Sequence, residues 1–390
     1  MGGGGDVYER RDRPLTPRAL PLALLLLGPP ANVPPLGVIA FYGLRTTPPE
    51  TARRTLGLHP GDVLPSREAE LRVQVEGARR RLEALPGVTA AHLEFVCCDQ
   101  DRLILYVGIT EGLAGPPSLR PELTDSSRLP EDILAAGAQF DQALEAAMLR
   151  GDAGEDQSLG HALMNDPASR AVQQRFIVFA ARDPALLRRV LHGCPDEAQR
   201  ALAAQVLAYS ADKVAASVDL VEATQDTASE VRNNALRALG VMASAPGIWP
   251  EGHLPIPAEP LVELLRSPVW TDRNKASLLL EKLTEGRQPS LLGLLSRRAF
   301  DELVEMARWP VMGHAYSSLA MLGRIAGLSE EQIVRAIAAT DREALIAGAT
   351  KARGTPPRPM TREWWARKDS NLRLAGYEPA VLTAELRARR

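Results

Sequence analysis

The feature that most constrains the fold of this chain is a helix-like segment that recurs along its middle. Residues 197–207 open with charged side chains and continue with apolar ones at helical spacing, and residues 230–240 repeat this pattern 33 positions later. Further copies at 273–280 and 314–322 follow after 41 and 39 residues, counted from Arg232 to Arg273 and from Ala276 to Ala315. Periods of this length are typical of arrays of antiparallel helix pairs, which must stack to bury their apolar faces. The sequence therefore predicts a mostly α chain with a helical solenoid over residues 166–349.

Second helices are predicted between these copies. They fall at 214–223, 261–265, 300–306 and 333–337, and a first pair is predicted at 168–180 and 185–191. The segment from Asp226 to Gly240, which contains Ser-Glu-Val-Arg-Asn-Asn-Ala-Leu, is similar to the HEAT consensus, where an Asp and an Arg lie near a helix start. The chain thus resembles HEAT and armadillo-like proteins, and the resemblance implies a protein-binding scaffold. A non-repetitive helical bundle is the alternative.

An amphipathic helix is predicted just before the array. Residues 131–149 place Ile133, Phe140, Leu144 and Met148 on one side, as helical periodicity requires. Residues 151–156 interrupt this helix, and residues 159–164 are predicted to resume it. Because the terminal repeat of a solenoid must hide its core, we interpret residues 131–165 as capping helices.

A compact segment of mixed character occupies residues 38–111. Its pattern predicts a strand at 38–42, a helix at 50–56, a longer helix capped by Ser66, and strands at 88–95 and 103–110. The polar residues 99–101 separate the last two strands and predict a hairpin turn. The segment is therefore expected to form a small α+β domain, followed by a Pro- and Ser-containing linker at 112–130.

Three stretches of this segment resemble the POTRA domains of bacterial secretion and envelope-assembly proteins. They are Gly57-Leu-His-Pro-Gly-Asp62, Arg81-Leu-Glu-Ala-Leu-Pro-Gly-Val88 and Leu103-Ile-Leu-Tyr-Val-Gly-Ile-Thr-Glu111. The resemblance implies a POTRA-like module that binds other proteins, often by adding a strand to an exposed sheet edge. A generic small α+β domain is the alternative.

The N-terminal 33 residues have the pattern of a secretory signal. Four arginines between positions 10 and 18 precede an apolar run at 19–27, and small residues follow it. The run is shorter than the roughly 20 residues that span a bilayer. A periplasmic or secreted protein is predicted, and a cytoplasmic protein with a disordered start is the alternative.

Catalytic signatures are absent from the sequence. GxSxG, HExxH, GxGxxG and the Walker phosphate loop do not occur, and the six histidines lack ligand spacing. Cys97, Cys98 and Cys194 form no CxxC pair, so they are idle thiols or, alternatively, Cys194 bridges to one of the others. Asp156 and His161 lie in a predicted loop and cap. No enzyme activity, cofactor site or metal site is predicted.

A proline-rich insert at 245–260 lengthens one repeat. Five prolines prevent a regular helix there, and insertions in solenoids often lie on the binding face. Trp249 and His253 in this insert are therefore predicted to contact a partner protein. The alternative is that Trp249 packs the loop against the solenoid.

Charge argues against a nucleic-acid partner. Between residues 166 and 343 there are 20 basic and 22 acidic side chains, a net of −2. A solenoid that binds DNA or RNA needs a basic excess along its groove, so a HEAT-like nucleic-acid-binding protein is a less favoured alternative.

The C-terminal 41 residues, 350–390, differ from the rest of the chain. Residues 351–390 carry ten basic and four acidic side chains, a net of +6. The stretch from Glu363 to Arg373, with Trp-Trp-Ala-Arg-Lys-Asp-Ser-Asn-Leu, resembles a tail produced when a reading frame runs through a transfer-RNA gene. It is excluded from the fold prediction, with a basic arm that binds RNA or anionic lipid as the alternative.

Two functional hypotheses remain from the sequence. The first is an exported, non-enzymatic scaffold of the bacterial cell envelope that binds protein partners through its solenoid and its POTRA-like module. The second is a cytoplasmic HEAT-like lyase or an enzyme-regulating subunit. Cellular location distinguishes them.

Overall fold

The protein is described here by a computed structural model covering residues 34–112, 125–152, 154–245, 256–339 and 341–353. Most of these residues are helical, and a small sheet with two helices forms the N-terminal part. This architecture confirms the predicted class, a mostly α solenoid preceded by a small α+β region. No helix in the described ranges is both long and apolar enough to cross a bilayer.

The N-terminal part is a three-stranded sheet covered by two helices. Its strand β3 is central, parallel to β1 on one side and antiparallel to β2 on the other. Gln100 and Asp101 connect β2 to β3 with φ angles of 48° and 59°, the left-handed conformation that tight hairpins need, so the predicted turn is confirmed. The elements in chain order are β1 (Leu36–Tyr42), α1 (Pro49–Leu56), α2 (Glu68–Glu83), β2 (Val88–Asp99) and β3 (Arg102–Glu111).

Helices α1 and α2 cover one face of this sheet. The predicted apolar stripe of α2 is buried at Leu71, Val75, Ala78 and Leu82. The predicted cap at Ser66 is wrong: Arg67 is the N-cap residue, and no side chain caps the helix. Ser66 lies one residue too early, because the helix begins at Glu68 and a capping side chain must immediately precede the first helical residue.

The region before the solenoid contains a helix and a short hairpin. Helix α3 (Glu131–Leu149) packs on the first solenoid helix, with the Phe140 and Phe176 rings 5.6 Å apart. The helix predicted at 159–164 is wrong, because β4 (Glu155–Asp156) pairs with β5 (Leu163–Met164) there. Gly160 has a φ of 70°, which reverses the chain between the two strands.

The solenoid consists of stacked helices in two layers. Helices α4, α6, α8, α10, α13 and α15 pack on one another in that order, and α5, α7, α9, α11, α12 and α14 pack against them from the other layer. Helix α11 has no counterpart among the predicted second helices. The bounds are α4 (Pro167–Arg182), α5 (Pro184–Gly193), α6 (Glu197–Leu207), α7 (Lys213–Ala223), α8 (Ser229–Ser244), α9 (Ala258–Leu264), α10 (Trp270–Leu283), α11 (Pro289–Arg298), α12 (Phe300–Ala307), α13 (Met312–Ile325), α14 (Glu330–Ala338) and α15 (Arg342–Ala352).

Buried arginines connect successive repeats. Arg200 binds both carboxylate oxygens of Asp226 at 2.8 and 2.9 Å, and Arg232 binds those of Asp272 at 2.7 and 2.8 Å. Each guanidinium is buried and also donates to a backbone carbonyl six residues earlier, on Cys194 or Asp226. The Asp and Arg that resemble the HEAT consensus therefore join one helix pair to the next.

Candidate peptide-binding groove

The sheet packs against the solenoid with its second face. Along β3, Leu105 and Val107 face α1 and α2, whereas Ile104 and Tyr106 belong to the core shared with the solenoid. Alternate residues of a strand point to opposite faces, so β3 is buried on both sides. The α+β part and the solenoid thus form one continuous packed unit.

Aromatic side chains form the centre of this junction. The Tyr106 ring stacks on Trp270 with 5.0 Å between centroids and lies 5.2 Å from Trp309. Trp270 contacts His314 edge-on at 4.8 Å, and Tyr42 contacts Trp309 at 5.9 Å. All five rings are buried, so the apolar area that they remove from water holds the sheet on the solenoid.

The sheet approaches the solenoid backbone most closely at Gly108. A Cβ atom at this position would lie 1.9 Å from the Pro268 carbonyl oxygen and 2.7 Å from the Tyr42 hydroxyl. The same hydroxyl donates a hydrogen bond of 2.7 Å to that carbonyl. Only glycine fits here, because any side chain would push the two backbones apart.

A second hydrogen bond lies beneath the aromatic rings. The Tyr106 hydroxyl and Nδ1 of His314 form a hydrogen bond of 2.7 Å. Burial, with a smaller contribution from the charge of Lys275, lowers the pKa of His314 to about 4. The imidazole is therefore neutral at physiological pH and takes part in the junction as an uncharged group.

Two glutamates of α12 hold the chain that leaves β1. Glu305 accepts the Gly43 N–H at 2.7 Å with one oxygen and binds Arg273 at 2.7 Å with the other. Glu302 binds Arg45 at 2.7 Å. The guanidinium of Arg273 also lies 4.5 Å from the centroid of the Tyr42 ring. Arg273 therefore contacts both Glu305 and the aromatic cluster.

A third carboxylate orders the segment that follows. Glu111, the last residue of β3, accepts backbone N–H groups of Arg45, Thr46 and Thr47 at 2.5 to 2.9 Å. Burial opposes its charge, but the hydrogen bonds from Thr47 and Thr46 outweigh that effect and lower its pKa to about 2. Glu111 therefore fixes the connection between β1 and α1.

An open groove lies between β1 and α12. It has a volume of about 440 Å³. Its β1 wall is residues 38–41, and its α12 wall carries Asp301, Val304, Glu305 and Arg308, with Trp309 and Pro310 at one end. Volumes of this size accommodate small ligands or a few side chains of a peptide.

The β1 wall of this groove is a strand edge. In the described sheet β1 pairs with β3 alone, so its other edge has no neighbouring strand. Leu36 and Gly43 direct backbone groups to this outer side, toward Asp62 and Glu305 respectively. Ile39 and Phe41 share their orientation, because their side chains also face α1 and α2. Their N–H and C=O groups therefore point into the groove.

The predicted site residues have different outcomes. Trp249 and His253 lie outside the described residues, so their role as partner contacts stays a prediction. Cys194 is a free, buried thiol, which excludes the predicted alternative of a disulfide from it. In the described ranges no cluster of three or more His, Cys, Asp or Glu side chains could hold a metal ion.

The polar group around His161 is part of a buried contact. Its Nδ1 lies 3.2 Å from the ammonium of Lys213, which also donates to the Ala208 carbonyl at 2.8 Å. Burial lowers the pKa of Lys213 to about 8, and burial together with that lysine lowers the pKa of His161 to about 4. Asp156, which precedes His161 in the hairpin, accepts a hydrogen bond from the Ser158 N–H. This group fastens the β4–β5 hairpin to the turn between α6 and α7.

Sequence reasoning missed the groove and the junction. One signal was available: residues 103–109 of β3 are apolar on both faces, which predicts a second packing layer. Nothing in the pattern indicates that this layer is the region around Trp270 and Trp309, about 160 to 200 residues away in the chain.

No protein-family model matches this chain, and no curated protein does. Among solved structures, it is similar to a designed armadillo repeat protein in complex with the peptide (KR)4, at 17% identity and a TM-score of 0.34, over 50% of this chain and 97% of that one. A second designed armadillo repeat protein has 18% identity and a TM-score of 0.32, over 51% and 96%. Similarity this low supports no conclusion, so the solenoid assignment rests on the helix stacking and the buried arginines described above.

Proposed function

We propose that this protein is a non-enzymatic scaffold that binds an extended peptide segment of a partner protein along β1. The observation that carries the proposal is the groove of about 440 Å³ beside an unpaired strand edge. Backbone groups at such an edge can form a ladder with an added strand, and side-chain pockets beside it supply specificity.

The remaining edge of the sheet is partly protected, which favours β1 as the binding edge. On β2 the outward N–H of Ala91 is bound by the carboxylate of Glu83 at 3.2 Å. Charged side chains placed in this way prevent edge-to-edge pairing. The ends of β1 are satisfied by Asp62 and Glu305, which leaves its centre, Ile39 to Phe41, for a partner.

The proposal is tested by selecting random ten-residue peptides displayed on phage with the full chain. Val304→Arg should block the groove from its α12 wall, and Val218→Arg on α7 is a matched control, because Val218 is 67% exposed and distant in sequence. Selected peptides should bind the wild type and the control but lose binding to Val304→Arg, with melting temperatures showing that both variants fold. Peptides that bind all three proteins equally, or no enrichment at all, would refute the proposal.

We also propose that the α+β part is a POTRA-like module and that the protein acts in the bacterial cell envelope. The order β-α-α-β-β with the central strand last supports the first statement. The signal-like pattern of residues 1–33 supports the second. A reporter enzyme that functions only in the periplasm should be active when it is fused to the C-terminus. An uncut N-terminus in the cytosol would contradict export and favour the cytoplasmic alternative, a lyase or a regulatory subunit.

For the last part of the chain, from about residue 361 onward, we propose read-through of a transfer-RNA gene. The similarity of the stretch from Glu363 to Arg373 supports this origin. Such a tail has no role in partner binding, and the truncation described in the Discussion tests it.

A further inference from the structure

The groove has opposite charges at its two ends. Its lining residues on α12 are Asp301, Val304 and Glu305, at helical positions i, i+3 and i+4 on one face, and Arg308 follows as the C-cap residue of the helix. Glu305 is already engaged by Gly43 and Arg273. The acidic end is therefore Asp301, the basic end is Arg308, and the apolar Val304 lies between them.

The direction of α12 relative to β1 is fixed by two contacts. As the chain leaves β1, Gly43 reaches Glu305 and then Arg45 reaches Glu302. As residue numbers increase along the chain leaving β1, the numbers of the contacted residues on α12 decrease. The strand and the helix therefore run in opposite directions. Asp301 therefore lies toward the Gly43 end of β1, and Arg308 lies toward the Val38 end.

Both terminal charges are engaged by solvent-exposed ion pairs. Arg308 donates to both carboxylate oxygens of Glu343 at 2.8 and 2.9 Å, and these side chains are 54% and 66% exposed. Asp301 pairs with Arg353 through one contact of 3.2 Å, with side chains 62% and 44% exposed. Water screens both pairs, so a charged ligand can compete for them, more easily at Asp301 than at the bidentate Arg308 pair. A ligand can therefore replace Glu343 and Arg353 without unfolding α15.

From these features we infer which peptide the groove takes, an inference that rests on the proposed function. The peptide is an extended segment antiparallel to β1 that carries a basic residue, an apolar residue two positions later and an acidic residue two positions after that. Antiparallel addition gives the more stable ladder. The N-terminal half of the peptide then lies near Asp301, and its C-terminal half lies near Arg308.

The dimensions agree with this pattern. Seven residues of helix from Asp301 to Arg308 rise by about 10 Å. Residues two apart in a strand point to the same side, so four residues place the two charges about 13 Å apart. Lysine and glutamate side chains are long enough to reach both ends, while the central residue meets Val304, Val38 and the Trp309 ring.

The test uses fluorescence anisotropy with synthetic, labelled nine-residue peptides and the full chain. One peptide has lysine, leucine and glutamate at alternate positions in that order among threonines, and the second has lysine and glutamate exchanged. The wild type should bind the first about tenfold more tightly, as two exposed charge pairs change from attraction to repulsion. A third peptide with alanine in place of leucine should bind more weakly than the first.

The variant Asp301→Lys/Arg308→Glu should invert the preference between the first two peptides. Arg335→Glu on the exposed face of α14 is the charge-reversal control and should leave the preference unchanged. If the leucine peptides bind with equal affinity and Val304→Arg abolishes binding, the groove binds peptides but does not read charge, and this inference is wrong while the proposed function stands. If none of the three peptides binds but phage selection yields groove-dependent peptides of another pattern, the inference is likewise overturned. Absence of binding in both experiments would overturn both.

Discussion

Replacing Gly108 by alanine should separate the effects of the junction from those of the solenoid. The added methyl group would lie 1.9 Å from the Pro268 carbonyl oxygen, and neither backbone can yield without moving the whole sheet. Carbon and oxygen atoms need more than 3 Å, so the sheet must retreat by over 1 Å. This movement would also weaken the hydrogen bond from Tyr42 to Pro268.

The magnitude follows from three contributions. Overpacking costs about 1–3 kcal/mol, and a weakened hydrogen bond adds about 1 kcal/mol. The reduced flexibility of alanine in the unfolded chain offsets roughly 0.5–1 kcal/mol of this loss. We therefore expect Gly108→Ala to lower the free energy of unfolding by about 1–3.5 kcal/mol.

Urea denaturation followed by tryptophan fluorescence and by circular dichroism measures this change. Gly240→Ala is the matched control, because Gly240 lies inside α8 and its added methyl group would contact nothing within 4 Å. The control should raise stability by about 0.5–1 kcal/mol, opposite in sign to the junction variant. If Gly108→Ala unfolds at the same or a higher urea concentration than the wild type, the sheet does not pack on the solenoid as described.

Three further predictions concern the repeats, a buried lysine and the tail. Asp272→Ala should destabilise the protein by about 3–5 kcal/mol because it leaves the charge of Arg232 buried, whereas Arg232→Met/Asp272→Leu should recover most of the loss in the same urea assay. Between pH 8 and 9.5 Lys213 keeps its proton in the unfolded chain but has released it in the folded protein, so the free energy of unfolding should rise with pH by up to about 2 kcal/mol. Lys213→Met should remove this rise in thermal melts taken across that pH range. Ending the chain after Arg353, which keeps α15 and the partner of Asp301, should leave melting temperature and peptide binding unchanged, and a large loss of either would show that the tail belongs to the fold.

Local patterns in the sequence predicted most of the individual elements. The spacing of Leu71, Val75, Ala78 and Leu82 located the buried face of α2, and residues 99–101 located the hairpin turn. Such features depend on interactions within a few residues, so one sequence is enough to identify them. The β4–β5 hairpin escaped prediction because two-residue strands depend on contacts outside themselves, including the bond from the Met164 N–H to Gln173.

The candidate groove could not be predicted in the same way. It exists because Tyr106 meets His314, 208 residues further along the chain, and because Gly43 meets Glu305, 262 residues further along. No periodicity encodes which surfaces of two elements will meet. In the sequence, Asp301 and Arg308 have only the pattern of a solvated helix face, and the position of β1 makes them the two ends of a groove.

The buried arginines bear on the order in which the solenoid repeats can fold during synthesis. Arg200 binds the carboxylate of Asp226 and Arg232 binds that of Asp272, so each of these two repeats is completed by the one that follows it. A ribosome delivers the N-terminal repeats first, and each emerging arginine must stay hydrated until the next acid has been synthesised. Across these two repeats folding therefore lags synthesis by one helix pair, and a chain that stalls there presents an uncompensated cation at its last folded repeat.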